Sequence, residues 1–216
     1  MLTLTGASNI EWCDFRFTKG ISARDNYGDR ELKGLDFLEA NNPVRSAWSK
    51  CWPQTGNIQN WDAVAQMRFL NDDDSGAWLL VEAKGNLEEL KSSCDAKSSS
   101  VGGGREQIEC ALNQAKVAFQ VRGNPDWCQP YYQYANRLAI LHFLWREKIA
   151  TQLLFVYFIG DSTPGKSCPP DAKGWLSALN EMKRHLGLDE NSPFNNRIYE
   201  LFISVGADCP SDVNSV

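Results

Sequence analysis

Asp62, Glu82 and Lys84 are the residues of this chain whose types and spacing suit work on a phosphodiester. Glu82 and Lys84 end the run Trp78-Leu79-Leu80-Val81-Glu82-Ala83-Lys84, and residues two apart on an extended strand project from one face. Asp62 stands near the start of an earlier extended run. If the two runs pair as an antiparallel hairpin, the start of the first lies beside the end of the second, and two carboxylates meet one ammonium. Mg²⁺ suits such a trio, because it takes oxygen ligands, keeps several waters and is held by one or two carboxylates with substrate phosphates. The ion would polarise the phosphoryl group and acidify an attacking water, with Lys84 offsetting charge in the transition state. Taken alone, Glu-x-Lys also reads as a surface ion pair and Asp62 as an ordinary strand-start residue.

The flanking sequence predicts the elements needed to position the trio. An extended run over 61–70, a turn cluster at Asn71-Asp72-Asp73-Asp74-Ser75-Gly76 and a second run over 77–84 read as a hairpin. On the first run Asp62, Val64, Gln66 and Arg68 share one face, and Ala63, Ala65, Met67 and Phe69 supply a core side. Upstream, Asp29 is placed to cap a short helix through Leu32, Leu35 and Leu38, ending at Asn41-Asn42. A second helix has Pro43 in its first turn, an apolar stripe of Val44, Ala47, Trp48, Cys51 and Trp52, and Pro53 as its stop. Residues 92–104 are rich in Ser and Gly and read as a loop. Helices follow from Arg105, with Ile108, Ala111, Leu112, Ala115 and Phe119 on one stripe, and after Tyr134, with Leu138, Leu141, Trp145 and Ile149 inward. Leu153 to Ile159 is apolar throughout, as befits a central strand. A helix capped by Asp171 and a strand over 197–205 close the chain. This order, with no internal repeat and no convincing domain boundary, predicts a single α/β layer structure.

Global properties narrow the setting. The chain has 216 residues, 43% of them hydrophobic and 23% charged, enough for a sizeable core. No apolar run approaches a membrane span, and the N-terminus has no basic region leading into an apolar stretch. Seven cysteines without a Cys-x-x-Cys pair read as thiols of a reducing compartment, which makes a cytoplasmic location the expectation. His142 and His185 lack cysteine or histidine partners at ligand spacing, which argues against structural zinc. His142 lies beside an apolar stripe and reads as an interior or boundary histidine, and His185 sits near a helix C-terminus, where a cation is favoured. The net charge is −5, yet the charges are unevenly placed: residues 62–95 carry eight acids against three bases, and residues 105–148 six bases against four acids. That distribution fits a metal centre beside a phosphate-facing surface, and fits two ordinary solvated surfaces equally well.

Asp62 in Asn60-Trp61-Asp62-Ala63-Val64, followed by Glu82-Ala83-Lys84 closing an apolar strand, resembles the PD-(D/E)XK nuclease superfamily. The resemblance covers residues 30 to 160, with Trp61 standing where the family name has Pro. It implies a restriction-endonuclease-like fold, a mixed sheet flanked by helices with its core over about 30–160 and an extra C-terminal helix and strand over about 161–216, with Mg²⁺ or Mn²⁺ held by Asp62 and Glu82, assistance from Lys84, and DNA as substrate, with RNA as the alternate. Some members carry a Gln on the helix after the Glu-x-Lys strand and an acid on the first helix. Gln107 and Gln114, seven apart on one helix face, match the first feature, and Glu31 or Glu39 the second. A homo-oligomer is compatible with this picture. The alternative is the same fold acting as a binding module with little or no hydrolysis.

A third reading rests on Gly160-Asp161-Ser162-Thr163-Pro164-Gly165-Lys166-Ser167, which satisfies the phosphate-loop pattern and follows an apolar strand. Such a loop needs a helix starting at Lys166-Ser167 to aim its amides at phosphate, and Pro169-Pro170 opposes one there. The aromatics Trp127, Tyr131, Tyr132 and Tyr134 offer stacking platforms for bases, but without interleaved basic residues they read first as packing.

Overall fold

Extended runs along the chain, joined by an N-terminal edge strand, form the five strands of one mixed sheet. The computed structural model describes residues 1–13, 31–56, 58–70, 76–97, 104–189 and 191–205. In chain order the elements are α1 (Leu2–Thr5), β1 (Asn9–Trp12), β2 (Leu32–Lys33), α2 (Pro43–Cys51), β3 (Asn60–Trp61), β4 (Ala63–Arg68) and β5 (Ala77–Lys84). They continue with α3 (Gly104–Ala118), α4 (Tyr132–Arg146), β6 (Thr151–Ile159), α5 (Ala172–His185) and β7 (Ile198–Ser204). Single 3₁₀ turns lie at Leu87–Leu90 and Asn195–Arg197. The sheet order is β1-β4-β5-β6-β7, antiparallel across the first two pairings and parallel across the last two.

The hairpin of β4 and β5 forms in the register that places Ala63 opposite Val81, which brings Asp62 and Glu82 to the same end. Gly76 permits the close return of the chain: a Cβ there would lie 2.6 Å from the Met67 carbonyl oxygen. Most of the turn cluster, residues 71–75, lies outside the described residues, as do Asp29 and residues 98–103 of the Ser/Gly stretch.

Both faces of the central strands are buried. Val64, Leu80, Leu153, Phe155 and Tyr157 face the helices, and Ala63, Ala65, Met67, Leu79, Val81, Leu154 and Val156 build a second cluster on the opposite face. The helical face is the larger core, and α2 to α5 bury Trp48, Ile108, Leu112, Leu138, Leu141, Trp175 and Leu179 into it. Asn42 caps α2 by accepting the Val44 amide at 2.9 Å, with Pro43 in the first turn, and Asp171 caps α5 through Gly174 at 2.9 Å. β7 adds to the free edge of β6, so the C-terminal helix and strand extend the same layers.

Two stretches depart from expectation. The leucines at 32, 35 and 38 do not ride on a helix: Leu32 and Lys33 pair with Trp61 and Asn60 as a short antiparallel ribbon, and turns follow. Leu35 and Leu38 still reach the core from those turns, so apolar spacing reported burial correctly and the local conformation incorrectly. The edge strand β1, with its exposed Glu11 and Trp12, has no apolar alternation to announce it and is held by pairing with β4.

The aromatics near residue 130 are packing residues here. Trp127 is buried and its indole N–H donates to the Leu186 carbonyl at 2.9 Å, and Tyr134 stacks on Phe155 with centroids 4.5 Å apart. His142 meets the Phe194 ring edge-on, and desolvation, reinforced by the Arg146 charge, holds its imidazole below the ordinary value. A histidine depressed in the folded state adds stability that is complete above its unfolded value and is lost as pH falls through the folded one. His142→Gln should therefore narrow the loss of stability that the wild type suffers between pH 7 and pH 5. Urea midpoints of the two proteins at both pH values check this, and parallel shifts would remove His142 as a source of acid sensitivity.

Candidate active site

The end of the β4–β5 hairpin is where charge enters an otherwise apolar layer. Glu82 is 4% exposed, because β5 lies between two partners and beneath α4. A buried carboxylate must be hydrogen-bonded or paired, and this one takes four N–H donors. Arg137 donates to Oε2 from Nε at 2.9 Å and from Nη2 at 2.6 Å, a fork from α4. Gln133 Nε2 donates to Oε1 at 2.6 Å, and the Lys84 ammonium donates to the same oxygen. Lys84 Nζ also donates to Gln133 Oε1 at 3.0 Å, closing a three-residue ring of polar contacts.

Arg137 is held as firmly as the carboxylate it serves. It is 3% exposed, its Nη2 donates to the Asn60 carbonyl at 2.7 Å and its Nη1 to Asn136 Oδ1 at 2.8 Å. Its guanidinium lies over the Trp61 ring, 4.7 Å from the centroid. Trp61 is itself pinned, with its indole N–H donating to the Gly34 carbonyl at 2.9 Å. The short ribbon of β2 and β3 thus serves as the wall against which Arg137 is clamped.

Asp62 occupies the solvent side of the cluster. It is exposed as a residue, yet its carboxyl lies over the β5 backbone and Oδ2 accepts the Ala83 amide at 2.6 Å. Its own amide donates to the Val81 carbonyl at 3.1 Å. Partial desolvation pushes the Asp62 carboxyl above its ordinary value and the Glu82 charge adds to this, while the Ala83 amide, Lys84 and Arg137 pull it down. Two carboxylates, one ammonium and one guanidinium make a charge-balanced group with a buried and an exposed end.

The structure brings Asp62, Glu82 and Lys84 together, and it does not bring Gln107 and Gln114 to them. Gln107, half-buried near the start of α3, reaches the Lys50 carbonyl at 3.5 Å. Gln114 meets Cys110 Sγ within its own helix and accepts from Arg146 at 2.9 Å. Arg146 lies nine residues beyond Arg137, roughly 13 Å along α4 at the helical rise. The glutamine that touches the site is Gln133, from the second helix after the strand. Glu31 accepts from Asn60 Nδ2 at 2.7 Å on the β2–β3 ribbon, and Glu39 lies exposed in the turns before α2, so neither is carried by a helix.

Sequence reasoning missed Gln133 and Arg137. They stand four apart on one face of a helix whose residues from Tyr134 to Leu141 are all buried. That spacing of two polar side chains inside an apolar helix was the available signal.

The loop over 160–167 has its own partners. Ser167 donates to the Glu88 carboxylate from its amide at 3.0 Å and its hydroxyl at 2.7 Å, and Leu87 N donates to the Ser167 carbonyl at 3.0 Å. The next helix starts at Ala172, so no helix begins at Lys166-Ser167. Among the described residues no group of three or more His, Cys, Asp and Glu side chains is placed to hold a metal ion. No helix among the described residues is long and apolar enough to cross a membrane. No protein-family model, curated protein or solved structure matches the chain.

Proposed function

We propose that this protein hydrolyses phosphodiester bonds of nucleic acid, DNA in the first instance, with the aid of a divalent cation at Asp62 and Glu82. The observation that carries the reading is the convergence of Asp62, Glu82, Lys84 and Gln133 at one end of the hairpin, open to solvent on the Asp62 side. The antiparallel strands leading to β5, the helices after it and the parallel β6 support the resemblance to PD-(D/E)XK nucleases, as does a helix-borne glutamine on the Lys84 ammonium.

The donor set is chemically suited to Mg²⁺ or Mn²⁺, being two carboxylates with hard oxygens. The two oxygens of Glu82 differ. Oε2 is committed to the buried Arg137 fork, whereas Oε1 is held by a flexible ammonium and a neutral amide, the partners that can yield to an ion. A bound ion would supply Lewis-acid polarisation of a phosphoryl oxygen and a more acidic water. The chain's own residues do the rest. Arg137 fixes the direction of Glu82, Asp62 is aligned by the Ala83 amide, and Lys84 carries the positive charge that a phosphoryl transition state needs.

The four donors on Glu82 also favour a second reading, in which the cluster is a structural ion-pair network beneath a surface that binds nucleic acid without cutting it. Incubation with supercoiled plasmid separates the two. Hydrolysis predicts nicking with Mg²⁺ or Mn²⁺ that EDTA abolishes. Retarded but intact plasmid under all three conditions would refute hydrolysis and favour the binding module.

A further inference from the structure

Beside the Glu82–Lys84–Gln133 ring lies a small cleft, open to solvent at the exposed Glu89 and closed at the buried Tyr157, that the phosphodiesterase reading does not use. Its lining adds Glu89, Leu90, Tyr134, Phe155, Tyr157 and Met182. The cleft has about 10 Å³ for the centre of a water-sized molecule, close to the roughly 10–15 Å³ that one water requires. Size therefore excludes an organic ligand or a hydrated ion.

Tyr157 says what belongs there. It is 0% exposed and pairs across the sheet with Lys84, yet its hydroxyl has no hydrogen-bond partner among the described residues. Its ring is fixed by Trp175 and Phe202, at centroid distances of 4.9 and 5.5 Å, so the hydroxyl cannot swing out to solvent. An unsatisfied buried hydroxyl is costly and rare. Two other lining groups have capacity to spare. The ammonium of Lys84 spends donors on Glu82 and Gln133 and has three in all. The Glu89 carboxylate accepts from Gly85 N at 2.9 Å and Asn86 Nδ2 at 2.7 Å, against about four lone-pair sites.

We infer that this cleft is a binding site for one structural water, which joins the Tyr157 hydroxyl to the Lys84 ammonium and the Glu89 carboxylate. The water accepts a hydrogen bond from the third Lys84 N–H and gives Tyr157 its missing partner, which makes Tyr157 a positioning residue for Lys84. Buried water of this kind makes about three hydrogen bonds and is part of the fold. The inference stands on the cleft and the hydroxyl, independently of whether the cluster hydrolyses phosphodiesters.

Tyr157→Phe tests it, because the substitution keeps the ring and removes only the oxygen. If the hydroxyl holds a water, the thermal midpoint falls by about 2–4 °C, the shift expected for one lost buried hydrogen bond in a chain of this size. The ¹⁵N-resolved ammonium signal of Lys84 should also broaden through faster proton exchange. The Lys183 signal, whose Nζ pairs with Glu200 at 2.7 Å, should hold steady as the internal control. A midpoint that rises or stays level would show an orphan hydroxyl and overturn the proposal. A fall in midpoint with an unchanged Lys84 signal would overturn the link to Lys84. A crystal structure with density for a water within hydrogen-bond reach of Tyr157 Oη would support the site directly, and a dry cleft there would refute it.

Discussion

Lys84→Ala is expected to lower Mg²⁺-dependent plasmid hydrolysis by about 10²–10³-fold, the range for removing one preorganised charge-stabilising group. The reasoning starts from what the ammonium touches. It is bound to Glu82 and Gln133 at the end of β5, with Asp62 across the strand pair, so its charge lies where a phosphoryl group would meet the carboxylates. The fold should survive the substitution. Glu82 would keep the Arg137 fork and the Gln133 amide, so the buried carboxylate would not be left unpaired. Initial nicking rates measured beside a thermal melt make the comparison. A variant as active as the wild type, with the same melt, would take Lys84 out of the chemistry and leave the Glu82–Lys84 contact as an ion pair.

Arg137→Ala should destabilise the protein by about 3–5 kcal/mol, the usual cost of removing one partner from a buried ion pair. For a chain of this size that is a fall in midpoint on the order of 10 °C. Side chains of Arg137 and Glu82 are 3% and 5% exposed, so solvent cannot replace the lost fork. The substitution also strips donors from the Asn60 carbonyl and Asn136 and removes the cation from Trp61, loosening the ribbon of β2 and β3. Pairing Arg137→Met with Glu82→Leu should recover part of the loss, because neither member of the buried pair is then left alone, while Lys84, 12% exposed, keeps only its contact with Gln133. Denaturation of the two single variants and the double variant measures the coupling. Single variants that cost less than about 1 kcal/mol each would mean that the pair contributes no more than a surface contact.

The two outcomes bear on different properties of one cluster. Lys84 is tested as chemistry, because its removal leaves Glu82 satisfied. Arg137 is tested as structure, because its removal does not. If Arg137→Ala melts low and Lys84→Ala is as active as the wild type, the network is architectural. Loss of hydrolysis in a Lys84→Ala protein that melts normally would place function in the same few side chains.

Legibility differed from element to element for identifiable reasons. The hairpin, the helix starting near Arg105, the Asp171 cap and the strand after Thr151 rest on local rules, and each forms close to its expected bounds. Leu32, Leu35 and Leu38 show the limit of such rules. Their spacing requires burial on one side, but cross-strand pairing with Trp61 won over helix propensity. Gln107 and Gln114 show another limit, since two residues on one helix face share a direction without that direction being the site.

The chain by itself determined the layered α/β order and the meeting of Asp62, Glu82 and Lys84. Both depend on alternation within a strand and on one antiparallel turn, which are properties of near neighbours. Only the tertiary structure decided what surrounds Glu82. Gln133 and Arg137 reach it across 51 and 55 residues of sequence, and nothing local to either end encodes the meeting. The physical reason is that a carboxylate under a helix layer has to be satisfied by whatever donors that layer carries, and the docking of α4 on β5 set which ones they were.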